Sequence, residues 1–147
     1  MKVGEIMTKN CKLVRANDTI RHAAELMAEE DVGCLPVEEN DRLVGVITDR
    51  DIVTRCVAQG KNGEAQVRDA MTNDIKYCFE DQEIEDLLNN MAEIQVRRIP
   101  VMNRRKRLVG IVSLSDAARS ADVEIIGNAF CGVVMPSGSH AGEQLRH

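Results

Sequence analysis

Two stretches of this 147-residue chain repeat the same pattern of residues. RLVGVITDRDI occupies residues 42–52, RLVGIVSLSDA occupies residues 107–117, and five of the eleven positions match. Repetition at a fixed spacing indicates two copies of one structural unit, which constrains the fold more than any single motif does. Two further pairs of segments recur at a spacing of 64 residues: VGEIMT at 3–8 with VRDAMT at 67–72, and VGCLPV at 32–37 with VRRIPV at 96–101.

The repeat predicts where the domains begin and end. The two copies cover about residues 1–58 and 65–119, and the polar, glycine-containing segment QGKNG at 59–63 links them. A copy of this size buries little apolar surface by itself, so we expect the two copies to pack together. We therefore predict a first domain at 1–62, a second domain at 63–119, and an extra C-terminal helix with a flexible tail at 120–147.

Hydrophobic spacing predicts the same elements in each copy. Apolar residues at i, i+3, i+4 and i+7 mark one face of a helix. This pattern occurs at Ile20, Ala23, Ala24 and Met27, and again at Ile84, Leu87, Leu88 and Met91. A short strand around 12–14 or 75–77 precedes each helix, and two strands joined by a polar turn follow it before a second helix. The repeated β-α-β-β-α order predicts an α+β fold of two repeats, packed through their sheets with pseudo-two-fold symmetry.

Composition argues against several classes of protein. Aromatic residues make up 2% of the chain and the formal net charge is −5, which disfavours a nucleic-acid surface built on base stacking and phosphate contacts. No apolar run reaches the roughly 18 residues of a membrane span, and the mixed N-terminal sequence does not resemble a signal peptide. The five cysteines are scattered without a C-x-x-C pair, so we expect free thiols, no metal site and a reducing, cytoplasmic location.

A hydroxyl and a carboxylate lie three residues apart at the end of each repeated stretch. The pairs are Thr48 with Asp51 and Ser113 with Asp116, each where a strand is followed by a helix. One interpretation is a helix capping box, in which each side chain bonds to the other residue's backbone N–H. The other is a nucleotide site, because a carboxylate can accept hydrogen bonds from both ribose hydroxyls and a hydroxyl can bind phosphate. The sequence leaves both interpretations open.

Taken in register, these motifs resemble a tandem pair of CBS domains, also called a Bateman module, over about residues 1–119. The resemblance implies a regulatory module that binds AMP, ADP, ATP or S-adenosylmethionine in clefts between the two domains. It further implies a homodimer and a role in signalling rather than catalysis, and the sequence lacks the P-loop and dinucleotide-binding glycine motifs. The adenosyl ligand is the effector; no other cofactor is required, and Mg²⁺ would accompany ATP.

The resemblance also assigns ligand contacts residue by residue. Asp51 and Asp116 match the ribose-binding aspartate of the family. The hydroxyl positions near ribose and phosphate are Thr48, Ser113 and Ser115, and Arg50 stands in the first copy where the second has Ser115. The candidates for phosphate contact are Arg50, Arg97 and Arg98, and for Arg97 and Arg98 the reason is the chemistry of the guanidinium group rather than the resemblance. The adenine ring is expected against the first strand and the Pro-Val strand of each copy, at Val14, Leu35 and Pro36 in the first and at Tyr77, Ile99 and Pro100 in the second.

The two copies differ in charge at two places. Arg97 and Arg98 stand where the first copy has Gly33 and Cys34; either they give ligand phosphates different surroundings in the two clefts, or they are ordinary exposed charges. The turn between the paired strands is basic in the second copy, at 104–107, and acidic in the first, with Glu38, Glu39 and Asp41. Solvated turns are the ordinary interpretation; the alternative is that the two turns meet across a dimer, or that the basic turn binds an acidic partner.

Two other functions stay open beside the adenosyl sensor. The first is a structural or protein-interaction module whose clefts hold no ligand, and the second is a nucleic-acid binder that uses the basic stretch 97–107. Ligand binding separates the first from a sensor, and a steep salt dependence of RNA or DNA binding would identify the second. The expected partners are a small-molecule nucleotide and a regulated protein, with no membrane attachment.

Overall fold

The computed structural model describes residues 1–120 and 122–134. The repeat-one unit consists of Asn10–Lys76 and Arg105–Leu108, and the repeat-two unit consists of Met1–Lys9, Tyr77–Arg104 and the described residues from Val109 onward. The repeat-two unit therefore includes Met1–Lys9, the segment that begins the first copy in the sequence. The repeat-one unit likewise extends to Lys76 and includes the segment that begins the second copy. The flexible tail predicted from residue 136 lies outside the described residues.

Each unit contains the predicted β-α-β-β-α order, so the α+β fold of two repeats is confirmed. Elements are numbered in chain order. Repeat one contains β2 (Val14–Arg15), α2 (Ile20–Glu30), β3 (Cys34–Glu39), β4 (Arg42–Thr48) and α3 (Asp49–Asp51), which continues as a π-helix at Ile52–Val57. Repeat two contains β5 (Cys78–Phe79), α4 (Ile84–Ile94), β6 (Arg98–Met102), β7 (Leu108–Ser113) and α5 (Leu114–Ala118). The remaining elements are α1 (Val3–Ile6), β1 (Thr8–Lys9), a 3-10 helix at Val67–Asp69 and α6 (Val123–Val134).

The two sheets have equivalent cores. The repeat-one sheet has the order β2-β3-β4, and the repeat-two sheet has the order β5-β6-β7 with β1 added beside β7. β2 runs parallel to β3 with Val14 opposite Val37, and β5 runs parallel to β6 with Cys78 opposite Val101. Val14 and Cys78 are thus equivalent positions, and the strands predicted around 12–14 and 75–77 begin later than expected.

Gly45 and Gly110 occupy the repeated RLVG segments because another stretch of backbone passes close to each. A Cβ atom on Gly45 would lie 2.5 Å from the carbonyl oxygen of Thr72, and one on Gly110 would lie 2.6 Å from that of Thr8. Thr72 forms an antiparallel bridge to β4, and β1 pairs antiparallel with β7. The repeated Met-Thr segments therefore have the same role in both units, which is to extend the sheet beside its last strand.

The acidic turn of repeat one is shorter than predicted. Asn40 and Asp41 form the turn between β3 and β4, and their φ angles are 54° and 61°. Positive φ at two successive residues is typical of a tight hairpin turn, and Asn and Asp tolerate it. Glu38 and Glu39 belong to β3 instead, and Glu39 pairs with Arg68 at 2.9 Å.

The basic turn of repeat two is partly neutralised inside its own unit. Arg104 donates hydrogen bonds of 2.8 and 2.9 Å to the Asp81 carboxylate. Its guanidinium also lies 4.1 Å from the centroid of the Phe79 ring, a cation–π arrangement. The hydrogen bond from Arg104 lowers the pKa of the Asp81 carboxyl group. One of the four basic residues of this turn, Arg104, therefore already has an acidic partner in Asp81.

Helices α2 and α4 differ in how much of their predicted face they bury. Ala24, one of the four residues that mark the apolar face of α2, is exposed, whereas its counterpart Leu88 is completely buried. The difference comes from α6, which packs against α4 and has no counterpart in repeat one. A Cβ atom on Gly132 of α6 would lie 2.6 Å from the Cβ of Ala92, so the two helices approach closely.

Helix α6 occupies most of the segment for which an extra helix is predicted. Ala129 and Val133 are buried against repeat two, while Val123 and Phe130 are exposed. Although α6 is strongly apolar, neither it nor any other helix among the described residues has the length and hydrophobicity needed to cross a membrane.

Candidate functional site

Thr48 and Asp51 bond to each other across the first turn of α3. The Asp51 N–H donates to Thr48 Oγ1 at 3.0 Å, and the Thr48 N–H donates to Asp51 Oδ2 at 3.0 Å. Thr48 is the last residue of β4 and has an extended conformation, and the helix begins at the next residue. The local sequence therefore fixes the pair in a capping box.

The Asp51 carboxylate is enclosed by its own unit. Asp51 is 8% exposed and is the one buried charged residue among the described residues. Thr72 Oγ1 lies 3.4 and 3.3 Å from the two carboxylate oxygens and donates to them. Arg55 Nε lies 3.9 Å from Oδ1, one helical turn further along. A buried carboxylate is costly unless it is paired or hydrogen-bonded, and these two neighbours supply that compensation.

Ser113 and Asp116 form the same box at the start of α5. The Asp116 N–H donates to Ser113 Oγ at 3.0 Å, and the Ser113 N–H donates to Asp116 Oδ2 at 2.9 Å. Asp116 is only half-buried, and Thr8, the counterpart of Thr72, is exposed. Within residues 1–120 and 122–134, no other group donates a hydrogen bond to the Asp116 carboxylate. One oxygen of this carboxylate therefore has no partner in the described part of the chain.

The capping interpretation is thus confirmed in both repeats. It does not compete with a ligand at Asp116, because the cap uses one carboxylate oxygen and each oxygen carries its own acceptor sites. The Ser113 hydroxyl accepts the cap bond through a lone pair, so its proton can still be donated to a ligand oxygen.

The phosphate candidates are all on the surface. Arg50, Arg97, Arg98 and Ser115 are exposed. Arg97 lies close to the repeat-two pair along the backbone, because the Leu114 N–H donates to the Arg97 carbonyl oxygen at 2.8 Å. The phosphate role of these residues stays a prediction.

Most of the adenine candidates lie in the core rather than on a surface. Val14, Leu35 and Ile99 are only 1, 1 and 2% exposed, and Pro36 and Pro100 are also buried. Adenine contact by these residues stays a prediction, and the buried side chains leave mainly backbone atoms to make it.

Tyr77 differs from the other adenine candidates. It is 45% exposed and meets Phe79 edge to face, with 5.6 Å between ring centroids. Because Cys78 is the equivalent of Val14, the equivalent of Tyr77 is Leu13, which is 36% exposed. Leu13 and Tyr77 are therefore the matching exposed apolar side chains at the two first strands, and sequence reasoning missed Leu13 by aligning these strands out of register.

Thr72 is the other residue that sequence reasoning missed. It belongs to the VRDAMT segment, which marks the start of repeat two in the sequence but packs in the repeat-one unit. The recurrence of Met-Thr at 7–8 and 71–72 was the available signal. Only the three-dimensional structure brings this hydroxyl to Asp51, 21 residues away in the sequence.

No metal centre is evident in the described part of the chain, where no three or more His, Cys, Asp or Glu side chains form a group suited to a metal ion. Burial raises the pKa of the Cys78 thiol to about 12, so this residue stays a protonated core thiol at neutral pH.

Comparison with known proteins places these features in a family. The model of the CBS domain matches residues 3–58 and 67–122. The CBS domain-containing protein YhcV of Bacillus subtilis is 37% identical over 138 residues, which cover 94% of this chain and 95% of that protein.

Two solved structures of similar proteins contain ligands. The CBS domain pair of protein MJ0100, in complex with 5′-methylthioadenosine and S-adenosyl-L-methionine, is 28% identical with a TM-score of 0.72, covering 81% of this chain and 94% of that one. CBSX2, in complex with AMP, is 29% identical with a TM-score of 0.70 and the same coverage of both chains.

Proposed function

The chain belongs to the CBS-domain family and carries two CBS domains in tandem, and from this premise we propose that it is a regulatory module that senses an adenosyl ligand. The ligand would bind at the hydroxyl–carboxylate pairs. Asp116 would accept hydrogen bonds from the ribose hydroxyls, and Ser113 would donate to a ligand oxygen. Both carboxylates act here as hydrogen-bond acceptors, and we propose no catalytic role for either.

The observation that carries this proposal is the Asp116 carboxylate oxygen that has no partner among the described residues. The cap holds Oδ2 at 2.9 Å from the Ser113 N–H, and this fixes the orientation of the carboxylate before any ligand arrives. Two adjacent ribose hydroxyls are both donors, and an ionised carboxylate is an acceptor only. A preorganised acceptor of this kind binds a diol without a further ordering cost.

The ligand class is supported by the two ligand-bound relatives. MJ0100 is in complex with 5′-methylthioadenosine and S-adenosyl-L-methionine, and CBSX2 is in complex with AMP. These three ligands share a 5′-substituted adenosine and differ in the substituent, which is a thioether, a sulfonium or a phosphate. We therefore assign the adenosyl group to this chain, with AMP, ADP, ATP and S-adenosylmethionine as candidates.

Regulation would follow from differential affinity. A ligand shifts a conformational equilibrium only as far as it binds one conformation better than another. Here it would stabilise the conformation in which Asp116 and its neighbours are placed for the ribose, and a regulated protein or a second copy in a homodimer would respond to that change.

The proposal is tested by thermal shift with AMP, ADP, ATP, S-adenosylmethionine, NADH and GTP. A ligand at about 100 times its Kd adds roughly 2.7 kcal/mol of stability, which raises the Tm by several degrees. We expect at least one adenosyl ligand to raise the Tm of the wild type and to lose most of this effect in Asp116→Asn. Asparagine keeps an acceptor for the cap, so the variant should fold normally.

The matched control is Asp74→Asn, which removes a carboxylate that is 80% exposed and distant in sequence from both capping boxes. It should leave every ligand effect unchanged. If no adenosyl ligand raises the Tm of the wild type, the sensor proposal is wrong, and a ligand-free interaction module becomes the better explanation.

A further inference from the structure

We propose that the two repeats select different ligands: repeat two takes an adenosyl ligand that carries phosphate, and repeat one disfavours phosphate. This inference rests on the proposed function and assigns a ligand class to each site. The discriminating residues are Arg97 and Arg98 in repeat two and Asp49 in repeat one.

The backbone shows that these residues occupy matching places. In repeat two the Leu114 N–H donates to the Arg97 carbonyl oxygen at 2.8 Å, and in repeat one the Asp49 N–H donates to the Gly33 carbonyl oxygen at 3.0 Å. Arg97 and Gly33 therefore stand at the same position, beside the first helical residue that follows each capping hydroxyl. Any difference between the sites comes from side chains rather than from the path of the chain.

Two arginines stand at the start of β6, next to the repeat-two site along the backbone. Arg97 and Arg98 are exposed, and within the described residues neither guanidinium forms an ion pair. Leu114, the residue after the capping Ser113, is apolar and 9% exposed. Guanidinium groups suit phosphate because they offer paired donors in a plane.

The repeat-one site has an acidic side chain at the same place, on a short helix that also carries Arg50. The Asp49 carboxylate lies over Gly33, because a Cβ atom there would be 2.9 Å from Asp49 Oδ2. The Asp49 carboxylate therefore lies over the position that corresponds to Arg97 in repeat two. It also accepts a hydrogen bond from the backbone N–H of Arg50, with a distance of 2.8 Å to Oδ1. A phosphate at this position would meet a like charge, whereas a neutral or cationic 5′ substituent would not.

Isothermal titration with adenosine and ADP tests this inference, since the two ligands differ only in phosphate. We expect the wild type to bind ADP more tightly than adenosine, and the double variant Arg97→Gln, Arg98→Gln to lose about tenfold in ADP affinity with adenosine affinity unchanged. In an Asp116→Asn background, which leaves the repeat-one site, Asp49→Leu should strengthen ADP binding and leave adenosine binding as it was. Raising the salt concentration should reduce the preference for ADP.

The control is Arg42→Gln, which removes an exposed arginine at the start of β4 and should change neither affinity. The inference is overturned if both ligands bind and the preference for ADP survives in the double variant. If neither adenosine nor ADP binds the wild type, the proposed function itself fails, so the two failures are distinguishable.

Discussion

The two capping boxes have the same backbone geometry and different surroundings. Asp51 is 8% exposed and is met by Thr72 and Arg55, whereas Asp116 is half-buried and is met by Ser113 alone within the described residues. The cap explains what the repeats share, namely how a strand passes into a helix. The surroundings explain what differs, because the Asp51 carboxylate has further partners within its own unit, whereas one oxygen of the Asp116 carboxylate has no partner among the described residues.

A second difference between the repeats lies in their first helices. Helix α4 is covered by α6 and buries Leu88, while the corresponding side of α2 is open and carries the exposed Ala24. Repeat two therefore has the larger core.

Leu88→Ala should be the most destabilising of these substitutions. Leu88 of α4 is completely buried, in a cluster that includes Ala129 and Val133 of α6. Truncation to alanine leaves a cavity, which lowers the free energy of unfolding by about 2–5 kcal/mol. Ala24→Leu, which places the same side chain at the matching position of repeat one, should change stability by less than about 0.5 kcal/mol. Urea denaturation measures both, and equal effects would contradict the covering role of α6.

Gly110→Ala should destabilise the chain by about 1–3 kcal/mol, because the new methyl group meets backbone that cannot move freely. Its Cβ would lie 2.6 Å from the Thr8 carbonyl oxygen and 2.8 Å from Met7 Sδ. Gly45→Ala should be slightly milder, since the nearest sulfur there is 3.4 Å away. The same denaturation experiment compares them.

The control for this comparison is Gly127→Ala in α6. Nothing lies within 4 Å of a Cβ atom there, so alanine should stabilise the helix by about 0.5–1 kcal/mol. Tolerance of alanine at Gly110 would mean that the Met-Thr segment does not press against β7.

Thr72→Val should destabilise the chain by about 1 kcal/mol, since it removes a hydrogen bond to the buried Asp51 carboxylate. Thr8→Val should have almost no effect, because Thr8 is exposed and does not reach Asp116. A double-mutant cycle with Asp51→Asn should show coupling for Thr72. Its absence would mean that Arg55 and the cap alone satisfy Asp51.

Thiol labelling gives the smallest and most local comparison. Cys131 on α6 is exposed and Cys78 is buried, and burial raises the Cys78 pKa to about 12. Iodoacetamide at neutral pH should therefore modify Cys131 first and Cys78 only in unfolded chains. Because the folded pKa lies above the ordinary value of 9.0, Cys78 should contribute stability below pH 9 that is lost as the pH rises toward 12. Rapid labelling of Cys78 in the folded chain would contradict its burial.

The order of elements was predictable from the sequence because hydrophobic spacing depends on which side of each element is buried. The positions of Thr48, Asp51, Ser113 and Asp116 were predictable for the same reason, since a cap is a local structure of four residues. Prediction failed where burial depends on a distant segment. Ala24 and Leu88 have the same local pattern, and only the presence of α6 separates them.

The surroundings of the site could not be read from the sequence in the same way. Thr72 contacts Asp51 from a segment that the repeat pattern assigns to the other copy. The residues around Thr72 carry no pattern that predicts packing in the repeat-one unit. The first strands are only two residues long, so their register is set by the neighbouring strand rather than by their own pattern. Leu13 was missed for this reason.

The most direct test of the account is calorimetric titration of AMP into the wild type, Asp116→Asn and Asp51→Asn. The account predicts that AMP binds the wild type, that Asp116→Asn weakens binding by at least about tenfold through loss of a charge-assisted acceptor, and that Asp51→Asn leaves the affinity nearly unchanged. AMP binding with the same affinity in Asp116→Asn, or its loss only in Asp51→Asn, would contradict the assignment of the open ligand site to repeat two.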